Sequence, residues 1–283
     1  MWTIEKPDIS AVETFTTCVE GFRSRSKRDR LKGIRQHIEN VEAELDQISA
    51  NAEIHLIADE LAVAGPLGAV TAEEMVELYD SHMARQKSRG RSIYDKLMDG
   101  AHFGQCPFCG HLPVSTLDHT VPKKRNASLT VTPINLIPCC KDCNHNKGTA
   151  FPVEASAQFL NPYYDDVTSD RWLYAEIIEA SPPGAYFYVH APDVWHEVME
   201  NRVKYHFQKL KLGKLYASQA GRQLQNIRRS LSDIFDGAGP EAVKEDLVGR
   251  SASCADVSTN SWESALYEAA AESDWYCSGG FRD

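Results

Sequence analysis

The sequence predicts a mostly helical α+β protein, and three observations support this fold class. Apolar residues recur three or four positions apart within residues 8 to 60 and again after Lys214, which is the spacing of amphipathic helices. Two short runs rich in aromatic and β-branched residues, at 172–178 and 185–190, have the composition of strands. Residues 100 to 150 contain five of the eight cysteines. We therefore expect helices that surround a small cysteine-rich core.

Residues 1–99 are predicted to form a helical N-terminal region. Its second helix has an apolar stripe at Leu31, Ile34, Ile38, Val41, Leu45 and Ile48. The stripe fits a helix that packs on its own chain, and a seam for another protomer or a partner is the alternative. A capping-box pattern at Thr71 and Glu74 predicts a further helix that runs to about Lys87. A short helix at 92–98 is expected to lead into the cysteine-rich segment at 100–150.

The remainder of the chain is predicted to form two more regions. Residues 151–236 comprise a hairpin, in which Ser181-Pro182-Pro183-Gly184 joins the two strands, and two helices at about 194–212 and 214–235. Residues 237–283 form an acidic C-terminal tail. It is too apolar for a purely disordered linker, because it contains Trp262, Tyr267, Trp275 and Tyr276.

The overall composition favours a cytoplasmic protein without a membrane segment. The chain has no apolar run of about 18 residues, and its first residues lack the basic and hydrophobic stretches of an export signal. Eight cysteines in a long chain without such a signal, four of them in metal-ligand pairs, fit a reducing compartment better than a disulfide framework.

A net charge of −10 argues against a protein that coats nucleic acid. The charge is uneven, because residues 231–283 carry −8 and the other 230 residues carry −2. Basic clusters lie at 23–35, 85–91, 123–125 and 204–214. A basic cluster is usually a solvated surface, but the cluster at 123–125 closely follows an Asp-His pair.

Two CxxC pairs carry the clearest chemical signal in the chain. Cys106 and Cys109 form the first pair, and Cys140 and Cys143 form the second. This spacing predicts a structural Zn²⁺ ion held by four thiolates. Cys139 is the alternative ligand at the second pair, but only Cys140 preserves the two-residue gap.

An acid and a histidine lie together between the two CxxC pairs. Asp118 and His119 end a run that reads as a strand, and Asn135 follows before the second pair. Phosphodiester hydrolysis needs a base that activates water and a cation that stabilises charge on the phosphate. A strand turns neighbouring side chains to opposite faces, so Asp118 and His119 need a local twist to act together.

In this order and spacing, four segments resemble the HNH endonucleases, including nucleases of bacterial anti-phage defence systems such as the Septu type. The segments are Cys106-Pro107-Phe108-Cys109-Gly110, Leu117-Asp118-His119-Thr120-Val121-Pro122-Lys123, Pro133-Ile134-Asn135-Leu136-Ile137-Pro138 and Cys140-Lys141-Asp142-Cys143-Asn144-His145-Asn146-Lys147-Gly148. The resemblance implies a ββα-metal core in which His119 is the general base and Asn135 orients the loop and the base. It also implies that Asp118 and Asn144 hold a catalytic cation.

The chain departs from the family pattern after the last CxxC, where the usual His is Asn144 and His145 follows one position later. Asn144 is the preferred second ligand and His145 is the alternative. An amide and a carboxylate favour Mg²⁺ or Mn²⁺, whereas His145 would favour Ni²⁺ or Zn²⁺. Lys123 and Lys147 are expected to contact phosphate, and a solvated lysine is the alternative for Lys147.

The function expected from the sequence is a divalent-metal DNA endonuclease, acting as an effector of anti-phage defence. The resemblance implies an ATPase as partner, and the apolar stripe leaves a homo-oligomer or hetero-complex open. Two alternatives remain: a zinc-stapled module that binds nucleic acid or protein without catalysis, and a ribonuclease.

Overall fold

The structure is a computed structural model that describes residues 1–282. The chain divides into two compact units. The N-terminal unit comprises Trp2–Asp166, and the C-terminal unit comprises Met1 and residues 167–283. The predicted helical region 1–99 and the cysteine-rich segment 100–150 therefore belong to one unit.

The N-terminal unit consists of six helices and two short antiparallel sheets, with order β1-β2 and β3-β4. In chain order its elements are α1 (Ala11–Val19), α2 (Arg25–Lys32), α3 (Arg35–Ala50), β1 (Ala62–Val63), β2 (Val70–Thr71), α4 (Ala72–Tyr79), α5 (Arg91–Asp99), β3 (Thr116–His119), β4 (Leu136–Cys139) and α6 (Lys141–Lys147).

The apolar stripe of α2 and α3 is buried inside the N-terminal unit. Leu31, Ile34 and Ile38 lie in one core with residues from α1, α4 and β3, while Val41 and Leu45 pack in a second core beside it. The burial of these side chains supplies most of the driving force for docking the helices. The prediction that the stripe packs on its own chain is confirmed.

The helix predicted to run from Thr71 to Lys87 is shorter than expected. The capping box is confirmed, since the Thr71 side chain accepts from the Glu74 backbone and the Glu74 side chain accepts from the Thr71 backbone. However, α4 ends at Tyr79, and a π-helical turn (Asp80–Ala84) follows. Donors of the following loop satisfy the last carbonyl groups of this π-helical turn. Gly90 N–H donates to His82 O over 2.8 Å, and Ser88 Oγ donates to Met83 O over 3.1 Å.

The C-terminal unit contains the predicted hairpin and more helix than expected. Its elements are β5 (Leu173–Ile178), β6 (Gly184–Val189), α7 (Glu197–Lys209), α8 (Leu212–Ala238), α9 (Pro240–Val257), α10 (Trp262–Glu272) and α11 (Asp274–Cys277). β5 and β6 are antiparallel, with Tyr174 opposite Tyr188, and their inner face is covered by α8 and α10. The hairpin prediction is confirmed.

The segment predicted as an acidic tail is largely helical. Its aromatic residues explain why, because Trp262, Tyr267 and Tyr276 are buried within the C-terminal unit. The side chain of Asn260 also fixes the segment to β5, where its Oδ1 accepts from the backbone N–H groups of Trp172 at 2.8 Å and Leu173 at 3.1 Å.

The predicted fold class, mostly helical α+β, is confirmed by these helices and small antiparallel sheets. Within residues 1–282, every helix is too short or too polar to cross a membrane.

Candidate functional site

The candidate site is built on β3, β4 and α6 of the N-terminal unit. The two strands pair antiparallel, with Asp118 opposite Ile137 and His119 opposite Leu136. Residues 120–135 connect the two strands, and a single residue, Cys140, separates β4 from α6. This compact ββα arrangement places the end of β3, the connecting loop and α6 next to one another.

Asn135 holds the two ends of the loop together. Its Oδ1 accepts from Val121 N–H at 2.7 Å, and its Nδ2 donates to Val121 O at 3.1 Å and to Leu129 O at 2.9 Å. The side chain is fully buried, so these bonds are not exchanged for water. Asn135 is thus a positioning residue for the loop that follows His119.

His119 is buried at the end of β3, with its ring fixed by a backbone carbonyl. Its Nε2 lies 2.9 Å from Thr130 O. Because a carbonyl oxygen only accepts, Nε2 must carry the hydrogen in this contact, which leaves the Nδ1 lone pair free. The ring also packs edge-on against Tyr79, with 4.6 Å between centroids. Burial lowers the pKa of His119 to about 3, so the imidazole is neutral at pH 7.

Asp118 forms a buried ion pair with Lys147. The Lys147 Nζ lies 2.8 Å from Asp118 Oδ2 and also donates to the backbone oxygen of His119 over 2.8 Å. Both side chains are less than a tenth exposed. Burial raises the pKa of Asp118, and the Lys147 charge opposes that shift. Lys147 is therefore not the solvated lysine that the sequence left open.

Asn144 lies on the side of α6 that borders this site. Its side chain lines the same cleft as Asp118 and His119 and is partly exposed. His145 is exposed one position later, where the helix has turned by about 100°. Of the two candidate ligands on α6, Asn144 borders the cleft and His145 does not.

These residues border a cleft of about 690 Å³. The cleft walls include the predicted pair Asp118 and His119, the helix residue Asn144, and the basic loop segment Lys123–Arg125. They also include Gly148, the last residue of the fourth motif segment, and residues without an obvious sequence signal, namely Asp59, Tyr79, Thr149 and Phe151. All four residues of β3, Asp118 and His119 among them, border this one cleft.

The three consecutive cations of the loop have different environments. Lys123 Nζ lies 2.8 Å from Asp80 Oδ1 and 4.6 Å from the centre of the Tyr79 ring. Arg125 Nε lies 2.7 Å from Asp59 Oδ1, and its guanidinium is 4.0 Å from the centre of the Phe151 ring. Lys124 is exposed between them, and no ion pair joins it to a carboxylate of residues 1–282. Lys123 and Arg125 therefore stabilise the cleft walls.

The four cysteines of the two CxxC pairs converge on one point. The Sγ atoms of Cys106, Cys109, Cys140 and Cys143 all lie within 4.8 Å of one another, and all four residues are buried. Four thiolates about 2.3 Å from a tetrahedral Zn²⁺ would be about 3.8 Å apart, so the cluster is close to the required size. Cys139, the alternative ligand, is outside this cluster. The four cysteines are thus suited to a structural metal ion such as zinc.

Backbone N–H groups point at two of these sulfur atoms. Leu112 N–H donates to Cys109 Sγ over 3.4 Å, and Cys143 N–H donates to Cys140 Sγ over 3.3 Å. Such bonds stabilise negative charge on sulfur and fix the direction of its lone pairs. Gly110, at a φ of +65°, closes the first turn by donating to Cys106 O. None of the eight cysteines, which all lie within the described residues, forms a disulfide bond.

Several contacts of the site have no signature in the sequence. The Thr130 carbonyl that holds His119 is a backbone atom, which any residue would supply. Tyr79 and Asp59 come from the helical region, 40 and 60 positions before His119. The basic residues, the Asp-His pair, Asn135 and Asn144 carry local patterns, whereas these other contacts depend on the tertiary fold.

Comparison with known proteins gives one relative of interest. Protein ea31 of Escherichia phage lambda is 31% identical over 165 residues, which are 57% of this chain and 55% of the relative. The chain therefore spans about half the length of this curated relative. No family model matches the chain. No solved structure matches it either.

Proposed function

We propose that this protein is an HNH endonuclease that hydrolyses phosphodiester bonds of DNA with Mg²⁺ or Mn²⁺. The observation that carries the proposal is the shared cleft of Asp118, His119 and Asn144, next to a four-thiol cluster on the same ββα element. The resemblance of the motifs to that nuclease family supports the same assignment.

In this proposal, His119 removes a proton from the attacking water. The bond from Nε2 to Thr130 O holds the ring in the tautomer whose Nδ1 accepts a proton. The Thr130 carbonyl also stabilises the imidazolium that forms. The neutral resting state fits a general base, although the depth of burial requires solvent or substrate to reach the ring through the cleft.

The oxygen donors of Asp118 and Asn144 suit a hard cation. Mg²⁺ is commonly bound by one or two protein oxygen ligands, with water and substrate phosphate completing its shell. When bound, such an ion would stabilise charge on the phosphate and on the leaving oxygen. Lys147, next to Asp118, would add positive charge on the same side. Asn135 would keep the loop and the Thr130 carbonyl in register with His119.

The substitution His119→Ala tests the catalytic proposal. General base catalysis typically contributes about 10² to 10⁴-fold, so nicking of a supercoiled plasmid with Mg²⁺ or Mn²⁺ should slow by that factor. Zinc content and the far-UV circular dichroism spectrum should remain those of the wild type. His145→Ala is the matched control, since His145 is exposed on α6. Equal nicking by His119→Ala and wild type would refute the assignment.

A binding module without catalysis is the second candidate, and the Asp118–Lys147 ion pair favours it. A carboxylate that is already paired with an ammonium group has less need of a dication. Isothermal titration with Mn²⁺ separates the candidates. If the protein is a nuclease, the wild type should bind Mn²⁺ and Asp118→Asn should not. If it is a binding module, the wild type should neither bind Mn²⁺ in the cleft nor cleave nucleic acid. Parallel assays on duplex DNA, single-stranded DNA and tRNA test the ribonuclease alternative.

The proposed biological role is that of an effector in anti-phage defence, with an ATPase as partner. This role rests on the motif resemblance. Plaque counts on cells that express the wild type or His119→Ala test the role, and affinity purification from the native host tests the ATPase. Equal plaque counts on the two kinds of cells would contradict the defence role.

A further inference from the structure

We propose that the four exposed, unpaired cations Lys124, Arg85, Lys87 and Arg89 form a track that binds the phosphate backbone of double-stranded DNA. The inference rests on the proposed nuclease function and goes beyond it, because it identifies the surface that holds the substrate. The basic clusters of the N-terminal unit differ in how many of their cations pair with carboxylates of the protein.

The cluster at 23–35 is largely neutralised within the protein. Five of its cations pair with nearby carboxylates of the same unit, namely Arg25, Lys27, Arg28, Arg30 and Lys32. Arg30 also bonds Ala69 O, and Arg28 bonds Phe22 O. These side chains connect α2 to α1 and α4. At these five positions a phosphate would have to compete with carboxylates that are already in place, whereas Arg23 and Arg35 of the same cluster are exposed and form no ion pair with a carboxylate of residues 1–282.

The cluster at 85–91 has a different character. Arg91 is a structural residue, since it bonds Ala84 O and pairs with Asp95. Arg85, Lys87 and Arg89 are exposed, and none of them forms an ion pair with a carboxylate in the part of the chain that the structure describes, although Arg89 is near enough to Glu20 to help lower the pKa of that carboxyl. They lie on one tight turn, in which Ser88 N–H donates to Arg85 O. Lys87 adopts a left-handed backbone, with a φ of +63°, which favours glycine.

The turn and the cleft are connected by the Asp80–Lys123 ion pair. Asp80 begins the π-helical turn that ends at Ala84, directly before Arg85. The ion pair therefore joins the loop that contains Lys124 to the turn that leads into Arg85. This link is the structural basis for treating Lys124 and the cations at 85–89 as one surface.

The aromatic rings of the cleft favour a duplex over a single strand. Proteins that hold single strands stack bases on exposed aromatic rings. Here Lys123 lies over the Tyr79 ring and Arg125 lies over the Phe151 ring, so one of the protein's own cations occupies one face of each ring. A duplex backbone needs only charge, which the four free cations supply.

The test is the salt dependence of DNA binding by the full chain, without added divalent ion so that no cleavage occurs. Fluorescence anisotropy with a 20-base-pair duplex gives the slope of log K against log[salt]. Each lost phosphate contact makes this negative slope shallower by about 0.9. The slope should therefore become shallower by about 1 in Lys124→Gln. In Arg85→Gln/Lys87→Gln/Arg89→Gln it should become shallower by up to about 3. Single-stranded DNA of the same length should bind more weakly than the duplex.

The matched control removes three cations that are paired. Lys27, Lys32 and Lys96 contact Glu77, Glu20 and Asp8, and Lys27→Gln/Lys32→Gln/Lys96→Gln changes the net charge by the same three units. Its slope should equal that of the wild type. Equal loss in both triple variants would mean a bulk charge effect, and an unchanged slope in the track variants would also overturn the proposal. Preference for single-stranded DNA or RNA would overturn the choice of duplex.

These outcomes are independent of catalysis. A reduced slope in the track variants together with equal nicking by His119→Ala and wild type would retain the track and refute the nuclease. The opposite pair of results would retain the nuclease and refute the track. Melting curves and zinc content of every variant show that the fold is intact.

Discussion

The cysteine cluster and the cleft share the same two strands and one helix, yet they are stabilised in different ways. In the cluster, four like side chains converge within 4.8 Å, an arrangement that could hold a metal ion. In the cleft, the residues are held by hydrogen bonds and ion pairs within the protein. Cys143 and Asn144 illustrate the division, because these neighbours on α6 serve the cluster and the cleft respectively.

This difference separates stability from chemistry. A closed shell of four sulfur ligands contributes folding energy and leaves no open position for a substrate. The cleft is open and has fewer metal donors, so an ion there would keep positions for water and phosphate. Substitutions in the two regions should therefore differ in both size and kind.

The largest effect is expected from Cys106→Ala. Structural zinc contributes about 10 to 16 kcal/mol of apparent binding energy in small domains, so loss of one thiolate should release zinc and unfold residues 100–150. Mass spectrometry of bound metal and circular dichroism melting measure both effects. Chelation of the wild type should reproduce them.

Cys139→Ala is the matched control for that substitution. Cys139 is equally buried and adjacent to Cys140, but its thiol lies outside the cluster. Zinc should be retained, with a loss of stability of about 1 to 2 kcal/mol from the small cavity. Loss of zinc in Cys139→Ala would mean that the wrong sulfur atom has been assigned to the cluster.

The next largest effect is expected from Lys147→Met, which leaves Asp118 buried without its partner. Breaking a buried ion pair on one side costs about 3 to 5 kcal/mol. Asp118→Asn/Lys147→Met removes both charges, and most of the lost stability should return. Urea unfolding of the single and double variants measures the difference. If the single variant is as stable as the wild type, the pair does not contribute to the fold of the cleft.

A smaller loss is expected from Asn135→Ala. The substitution leaves the Val121 N–H and two carbonyl oxygens of the loop without partners, which should cost about 2 to 4 kcal/mol after partial hydration. Zinc should be retained, because the cluster lies at the other end of β4. Asn40→Ala, at an exposed position of α3, should change stability by less than about 0.5 kcal/mol. Equal unfolding curves for the two variants would contradict the positioning role.

The comparison also explains which features a sequence can predict. The cluster ligands are adjacent pairs with a fixed gap, so Cys106, Cys109, Cys140 and Cys143 follow from local spacing alone. The stripe of α3 and the hairpin of residues 173–189 are periodic patterns and were predicted for the same reason. The end of α4 at Tyr79 was not, because it depends on Ser88 and Gly90 donating back to the preceding turn.

The helical nature of residues 240–277 and the contacts of the cleft were also beyond local patterns. Net charge suggested a tail, whereas burial of Trp262 and Tyr276 outweighs the acidic composition. Likewise, Lys147 has the spacing of a phosphate ligand, but its pairing with Asp118 depends on how α6 packs against β3. Long-range contacts decide the environment of a charge, and a single sequence does not display them.

The smallest effect on stability is expected from Asp80→Asn, at the exposed rim of the cleft. The Asp80 side chain is 55% exposed and that of Lys123 is 29% exposed, so their ion pair should contribute less than about 1 kcal/mol. The substitution frees Lys123 from its carboxylate, and the salt slope of duplex binding should therefore increase. Asp99→Asn, which changes the same charge at an exposed position of the same unit, should leave the slope unchanged. A large loss of stability in Asp80→Asn would mean that the rim contributes to the fold as the cluster does, and the division between the two regions would fail.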